Sequence, residues 1–312
     1  MTPSNSFSRR GFISTVSGGS ISAALFSALP SSNQVENFAD DVPNIIDTNI
    51  YLFQWPFRRL KYDSTQLLVQ KLRKHRVSQA WAASYESLFT KSVDASNARL
   101  ANECRQYGKG MLLPFGTVNP AWPDWEEDLR RCHEVHKTPG IRVYPGYQTF
   151  ELSHPEFAKL VAGATKRGMI VQIVGDMDDT RVQHPIVETR DIKFDPLIDI
   201  VKNNPGCKVQ LLNWNLYMNN KLLKRLVDET SVTFDIAWLE SVGALGHSIE
   251  GKSWEGEQPP IPVERFVFGS NAPLFPLEAS IIKLFESPLT LSQMKAVMHA
   301  NARRLSNDKA MI

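Results

Sequence analysis

Residues 45–84 read IIDTNIYLFQWPFRRLKYDSTQLLVQKLRKHRVSQAWAAS. This stretch decides the fold class, because it places a helical pattern between two β-rich runs, 45–51 and 77–84. The middle segment, 64–75, carries its leucines on one helical stripe and its lysines off that stripe, as a helix covering a sheet requires. A helix between two strands is the repeating unit of a parallel sheet, since it returns the chain to the start of the next strand.

The same alternation continues along the chain. The predicted strands are 45–51, 77–84, 111–118, 140–144, 169–175, 208–213, 231–236 and 265–269. The predicted helices are 64–75, 92–107, 122–136, 155–167, 194–203, 217–229, 237–245 and 276–285, followed by a terminal helix at 290–301. Eight units predict an α/β fold of the (β/α)8 TIM-barrel type, a single domain over 41–312. The competing open, doubly wound sheet normally has a glycine-rich phosphate loop after its first strand, and no GxGxxG motif occurs in the sequence.

Composition excludes several classes of protein and partner. Of the 312 residues, 42% are apolar, which is enough for a sizeable core and excludes a disordered chain. The 35 lysines and arginines against 33 acids give a net charge of +2, so we expect no nucleic-acid partner. Cys104, Cys132 and Cys207 have no CxxC spacing and are expected to be buried free thiols.

The amino terminus has the pattern of an export signal. Residues 8–13 read SRRGFI and precede a mildly hydrophobic stretch, 12–29, rich in Ser, Gly and Ala. We predict that 1–40 is a twin-arginine-like signal peptide and linker, and that the protein is periplasmic or otherwise exported by a twin-arginine route. The polar interruptions predict no membrane span here, and no later segment qualifies, so no stable span is expected after signal removal. The sequence leaves open whether the protein forms a homo-oligomer.

Polar side chains cluster at the predicted carboxyl ends of the strands, where TIM barrels place their active sites. The candidate substrate-binding residues are Asn49, Tyr51, Arg142, Tyr144, Gln172, Arg181, Asn213 and Asn271. Unpaired polar groups inside a barrel cost a few kcal/mol each, so the set implies a hydrogen-bonded network or a ligand site. The arginines favour a small anionic substrate, with internal pairing of Arg142 to Asp47 or Asp176 as the alternative.

Candidate catalytic groups follow the fifth strand. Asp176 and Asp178 are close enough in sequence to repel each other and raise one pKa, and His184 titrates near neutrality. The alternative is a solvated acidic loop. Asp235 and Glu86, which end or follow strands, are expected to make structural hydrogen bonds.

Four stretches carry a family resemblance. They are 45–52 (IIDTNIYL), 140–145 (GIRVYP), 268–273 (FGSNAP) and 299–305 (HANARRL). In this order they resemble motifs of the amidohydrolase superfamily, specifically its amidohydrolase-related (amidohydrolase 2) branch, over nearly the whole chain after residue 44. The first resembles that branch's Asp-x-His-x-His strand, and the third its closing Gly-Ser-Asp-x-Pro.

The resemblance implies metal ligands that this chain replaces. In the family, histidines on the first, fifth and sixth strands and a last-strand aspartate hold one or two divalent metals, commonly zinc. The residues here are Asn49, Tyr51, Val174, Asn213 and Asn271. Neutral amides and a phenol lack the charge and basicity of these ligands, so we expect no usual zinc site, no metal-ligating residue and no cofactor. An amide at 271 also cannot shuttle a proton. A divalent metal on oxygens of Asp176, Asp178 and Asn213 stays open.

The sequence therefore favours an enzyme. The leading hypothesis is an exported amidohydrolase-related hydrolase, or a decarboxylase or lactonase, that acts on a small anionic molecule with a degenerate or absent zinc site. The alternative is a catalytically inactive barrel that binds a small anion or a sugar derivative.

Overall fold

The computed structural model of the protein describes residues 44–179, 181, 183–214, 218–253 and 256–306. The predicted export signal lies outside them. No helix in the described part of the chain has the length and apolar character needed to cross a membrane.

Eight parallel strands form one sheet in chain order. They are β1 (Ile45–Leu52), β2 (Val77–Ser84), β3 (Leu112–Thr117), β4 (Gly140–Val143), β5 (Ile170–Val174), β6 (Lys208–Leu212), β7 (Thr233–Asp235) and β10 (Phe266–Val267). A small antiparallel hairpin, β8 (Lys252–Ser253) with β9 (Gly256–Glu257), stands apart from this sheet and is absent from the sequence prediction. Each strand pairs with its sequence neighbour, which is the topology that right-handed β-α-β crossovers produce.

Backbone hydrogen bonds join the first strand to the segment that follows the last one. Thr48 N donates to Phe268 O at 2.9 Å, and Tyr51 N donates to Ala272 O at 2.8 Å. In return, Asn271 N donates to Asn49 O at 2.8 Å. These contacts bring the two edges of the sheet together, and the predicted TIM-barrel fold is confirmed.

Helices cover the outside of the sheet. They are α1 (Thr65–Lys74), α2 (Val93–Glu103), α3 (Trp125–Glu134), α4 (Pro145–Gln148), α5 (Pro155–Lys166), α6 (Asp195–Lys202), α7 (Asn220–Glu229), α8 (Ala244–Glu250), α9 (Leu277–Glu286), α10 (Leu291–Lys295) and α11 (Asn301–Ser306). The α1 helix begins where the Ser64 side chain accepts a hydrogen bond from Leu67 N, a standard cap. It buries Leu68, Val69 and Leu72, whereas Leu67 is 47% exposed, so the buried stripe is rotated from the predicted one.

One helix was predicted in the wrong place. The sequence favoured 237–245, but α8 covers Ala244–Glu250. Residues 236–239 are instead a buried loop at the carboxyl end of β7. Gly243, whose φ of 74° is in the left-handed region, precedes the first turn of the helix. Apolar periodicity alone did not separate a buried loop from a helix.

The predicted thiols are confirmed. Cys104, Cys132 and Cys207 are free and buried. The terminal helix predicted at 290–301 is α10, a π-helical turn (Ala296–Ala300) and α11 in succession. Asn301 anchors it near β10, since its Nδ2 donates to Val263 O at 2.8 Å and Phe266 O at 2.7 Å.

Candidate active site

The site begins with an irregularity in β1. The pairing of β1 with β2 shifts register between Asp47 and Ile50, as in a β-bulge. As a result, Thr48 joins the interior network together with Asn49. Thr48 Oγ1 donates to Phe268 O at 2.9 Å and accepts from Gln210 Nε2 at 2.7 Å. Strict alternation along the strand had excluded Thr48 from the site.

Arg142, on β4, lies fully buried in the barrel interior. Its Nε donates to Gln172 Oε1 at 2.8 Å, and its Nη1 donates to Asn49 Oδ1 at 3.2 Å and Ile50 O at 3.1 Å. Its Nη2 donates to Thr48 O at 3.2 Å and Trp81 O at 3.3 Å. A guanidinium has five N–H donors, and all five have protein acceptors here. Arg142 therefore presents no free fork to a substrate carboxylate, and it bonds to neither Asp47 nor Asp176.

The asparagines form a second layer of the same network. Asn49 Nδ2 donates to Asn213 Oδ1 at 3.1 Å and to Asp235 Oδ2 at 2.8 Å. Asn213 N donates to Asp235 Oδ1 at 2.9 Å, and Asn213 Nδ2 donates to the backbone oxygen of Asp176 at 2.5 Å. Asn271 is held by its backbone to Asn49 and donates from Nδ2 to Met177 O at 3.2 Å. The predicted convergence of Asn49, Asn213 and Asn271 is present. We call this set, with Arg142 and Asp235, the interior ring.

Two glutamines extend the network below the interior ring. Gln172 Nε2 donates to Thr48 O at 2.8 Å and to Gln210 Oε1 at 2.9 Å. Both glutamines are fully buried, and their bonds connect β5 and β6 to β1. Gln172 thus holds the backbone of the barrel instead of facing the mouth.

Burial perturbs two carboxyls of the barrel centre. Desolvation raises the pKa of Asp47 to about 7, although hydrogen bonds from Ser270 and from Asn49 N oppose this. Desolvation likewise raises the pKa of Asp235 to about 6, against bonds from Asn213 N and the Asn49 side chain. Both carboxyls change protonation close to neutral pH, the range useful for proton transfer.

Aromatic side chains cover the interior ring at the barrel mouth. Tyr51 stacks on Tyr85 with ring centroids 4.8 Å apart, and it lies 6.5 Å from Tyr144. Trp55 packs 5.2 Å from Tyr85, and the Arg142 guanidinium lies 4.6 Å from the Tyr51 ring centroid. The buried hydroxyls of the three tyrosines make no well-formed hydrogen bond, although those of Tyr51 and Tyr144 are close enough to act on each other, and burial raises the pKa of each tyrosine. We call Tyr51, Trp55, Tyr85 and Tyr144 the aromatic cap.

Two further polar atoms near the mouth make no well-formed hydrogen bond. They are Asn271 Oδ1, in the interior ring, and Thr117 Oγ1, at the carboxyl end of β3 and close enough to Tyr144 to act on its pKa. Buried polar atoms are satisfied in the great majority of cases, so a group of exceptions at one end of the barrel calls for an explanation.

The predicted catalytic segment lies partly outside the interior ring. Asp176 is buried and reaches it through its backbone oxygen. Asp178 is also buried, but its carboxylate forms an ion pair with Arg58 at 2.5 Å. His184 is exposed, stacks on Phe57 with centroids 5.2 Å apart, and accepts a hydrogen bond from Ile186 N.

At its exposed end, this segment forms an ion pair between two of its own residues. Arg181 donates from Nε to both oxygens of Asp179 at 2.9 Å, which holds the pKa of Asp179 at about 2. The structure therefore places neither Arg181 nor His184 against the amides. Glu86 pairs with Arg99 at 2.7 Å, a structural contact as expected.

The donor set of the interior ring does not fit a divalent metal. Asn49 directs its N–H groups at Asn213 and Asp235, where a metal would need lone pairs. Asp178 forms an ion pair with Arg58, and Val174 is an apolar side chain that packs in one cluster with the aromatic cap. Within the described ranges, no three His, Cys, Asp or Glu side chains are grouped closely enough to hold a metal ion.

Sequence comparison finds no matching family model and no similar curated protein. Solved structures do match. A 2,6-dihydroxybenzoate decarboxylase from Rhizobium is 13% identical, with a TM-score of 0.60 over 84% of this chain and 99% of its own. A 5-carboxyvanillate decarboxylase from Sphingomonas paucimobilis is 11% identical, with a TM-score of 0.61 over 85% and 99%.

A third similar structure contains a metal. It is a dihydroxybenzoic acid decarboxylase from Polaromonas sp. JS666 with bound manganese and the inhibitor 2-nitroresorcinol, and it is 10% identical, with a TM-score of 0.62 over 85% and 97%. This chain has the fold of these decarboxylases. At such low identity the likeness concerns the fold, and the function must be argued from the site.

The sequence did not predict the surroundings of three residues. Asp235 makes the structural hydrogen bonds expected of it, but the sequence did not predict that its partners are two asparagines of the interior ring. Tyr85 directly follows β2 and continues the alternation of Trp81 and Ala83, a pattern that could have placed it in the cap. Thr48 gave no signal, because the bulge that brings it inside depends on tertiary contacts.

Proposed function

We propose that the protein is an amidohydrolase-related decarboxylase that acts on a small aromatic carboxylate without a bound metal. A hydrolase acting on a similar anion is the nearest variant of this proposal. The observation that carries it is the aromatic cap, whose three buried hydroxyls make no well-formed hydrogen bond and whose Tyr51 ring lies against Arg142 of the interior ring.

The aromatic cap suits an aromatic acid. A buried hydroxyl without a partner costs about 1–3 kcal/mol, and an incoming carboxylate or phenol oxygen would recover that energy. The rings of Tyr51 and Tyr85 stack on each other, and an aromatic acid that displaced one of them would make the same kind of contact with the other. Since the cap residues are buried, entry of a ligand requires the cap to move.

Asp235 is the group best placed to deliver the proton. In decarboxylation the bond between the ring carbon and the carboxyl carbon breaks, and its electron pair stays on the ring carbon. A proton then completes the new C–H bond. A carboxyl whose pKa is about 6 holds that proton in weakly acidic solution, and Asn49 and Asn213 keep it oriented. A dry surrounding also favours loss of CO2 from a desolvated carboxylate.

The structural neighbours support this choice of reaction. They are decarboxylases of 2,6-dihydroxybenzoate, 5-carboxyvanillate and dihydroxybenzoic acid. Two of these substrates are suitable first probes. We also propose export by a twin-arginine route, on the residues 8–13 quoted above.

A catalytically inactive barrel that binds a small anion or sugar derivative is the second candidate. It is favoured by the saturation of Arg142, because a site whose cation is fully used by protein acceptors has less to offer a substrate.

One experiment separates the two candidates. The full chain is incubated with 2,6-dihydroxybenzoate or 5-carboxyvanillate, and released CO2 and the rise in Tm are measured. The enzyme proposal expects both CO2 release and a Tm rise. Asp235→Asn should abolish release while keeping the Tm rise, and Tyr62→Phe, outside the cap, is the matched control. Binding without release by the native chain would favour the inactive barrel, and a chain that neither binds nor turns over any aromatic acid would reject the proposal.

A further inference from the structure

We propose that the Arg142 guanidinium is a resident cation that organises the barrel centre in place of a metal ion and excludes a divalent ion from it. The inference goes beyond the proposed function and does not depend on the substrate. It starts from the disagreement between the interior ring and a metal site.

The first step is the geometry around the guanidinium. Five oxygens face its five N–H groups at 2.8–3.3 Å, three of them backbone carbonyls of β1 and β2 and two of them side-chain amides. Such a cage of neutral oxygens is the kind of donor set that hard cations prefer. Here the chain itself supplies the cation, and its planar fork on β4 fixes β1, β2 and β5 relative to one another.

The second step is the relay from Arg142 to Asp235 through Asn49. The guanidinium can only donate, and an ionised carboxylate can only accept, so the amide between them has one orientation. Asn49 Oδ1 therefore faces Arg142, and Asn49 Nδ2 faces Asp235 and Asn213. While Arg142 is present, this orientation directs N–H groups into the space between the asparagines.

The third step is the balance of charge. The barrel centre contains the buried Arg142 guanidinium and two buried carboxyls, Asp47 and Asp235, whose pKa values burial raises. Lys283, half-buried on α9, donates from Nζ to the backbone oxygens of Ile236 and Ala237 at 2.7 and 2.8 Å, close enough for its charge to act on Asp235. A divalent ion added beside Arg142 would meet the positive charge of the guanidinium in a region of low polarity, where repulsion is strong.

The test uses the full chain, with Mn²⁺ and Zn²⁺ as metal probes and free guanidinium ion as a chemical replacement. The metal content of the purified wild-type protein should be well below one ion per chain. Its Tm should not respond to a chelator or to millimolar Mn²⁺ or Zn²⁺. A stoichiometric divalent ion in the wild-type protein, or a Tm that falls with the chelator, would overturn the inference.

The decisive variant is Arg142→Ala. It should unfold at lower temperature, and millimolar guanidinium chloride should raise its Tm by roughly 4 °C or more, whereas the wild-type Tm should not rise. Mn²⁺ should now raise the Tm as well, because the oxygen cage has lost its cation. Arg130→Ala, which removes a surface arginine paired with Glu127 and Glu134, is the matched control and should respond to neither ion.

Two outcomes of this experiment count against the inference. One is an Arg142→Ala protein with the wild-type Tm, and the other is a variant that neither guanidinium nor Mn²⁺ stabilises. If Arg142→Ala does not fold, Arg142→Lys replaces it. An ammonium has three donors for five acceptors, so this variant should fold with a lower Tm, and an unchanged Tm would contradict a role for the fork. Failure to find a substrate leaves these results unaffected.

Discussion

Replacement of Asp47 by asparagine should stabilise the protein at pH 8 and leave its stability at pH 4 unchanged. The Asp47 carboxyl accepts hydrogen bonds from Asn49 N and Ser270 N at 3.1 Å and from Ser270 Oγ at 2.5 Å. An asparagine can keep the first two through its oxygen and reverse the third, because a serine hydroxyl both donates and accepts. Asp47→Asn therefore removes the charge of this group while preserving its contacts.

The magnitude follows from the pKa of Asp47. Burial raises it from 3.8 to about 7, so the folded protein favours the neutral acid. A raised carboxyl pKa stabilises the fold fully below the unfolded value of 3.8, and that contribution is lost as pH rises to about 7. At 1.36 kcal/mol per pH unit, the interval corresponds to about 4 kcal/mol. Asparagine does not ionise, so the free energy of unfolding of Asp47→Asn should not fall in this way as pH rises.

Urea unfolding at pH 4, 6 and 8 measures the effect as the difference in free energy of unfolding between variant and wild type. The difference should be near zero at pH 4 and should grow to about 4 kcal/mol at pH 8. Asp179→Asn is the control: Asp179 lies outside the barrel and its pKa is held low by Arg181, so its variant should show no such growth. Equal pH dependence in wild type and Asp47→Asn would refute the account of the buried carboxyl.

Three further changes test other parts of the site. Gly269→Ala places a Cβ 2.7 Å from Asp235 Oδ2. This close contact should lower the free energy of unfolding, measured by heat or urea, by about 1–3 kcal/mol. A variant as stable as the wild type would contradict the packing described. Tyr144→Phe removes a buried hydroxyl that makes no well-formed hydrogen bond, and should raise stability by about 1 kcal/mol while weakening binding of an aromatic carboxylate in calorimetry; a loss of stability would indicate that its contacts with Tyr51 and Thr117 are stabilising. The decarboxylation rate of the wild-type protein should fall as pH rises through about 6, because Asp235 loses its proton; a rate that rises with pH would assign Asp235 a different role.

The sequence predicts the architecture well, because the fold depends on patterns that are local in the chain. Alternation of strands and helices gave eight units, and each strand pairs with the next one. The misplaced helix at 237–245 shows the limit of this reasoning. Residues 236–239 are buried in a loop at the carboxyl end of β7, and periodicity cannot distinguish that burial from a helix face.

The site is predicted less completely, since its chemistry depends on which atoms meet. The sequence placed Asn49, Asn213 and Asn271 together, and they do converge. It could not predict that every donor of Arg142 has an acceptor within the protein, because three of those acceptors are backbone oxygens, two at the irregular part of β1 and one in β2. Nor could the spacing of residues predict that His184 is exposed and stacks on Phe57.

The mutual matching of Asn49, Arg142 and Asp235 also constrains how this protein can change over evolutionary time. A single histidine at position 49 would remove one acceptor from the guanidinium and one donor from Asp235, and each unmatched group is costly. A change at any one of the three positions therefore requires compensating changes at the other two. We expect substitutions to be tolerated more easily in the surrounding loops than in this network.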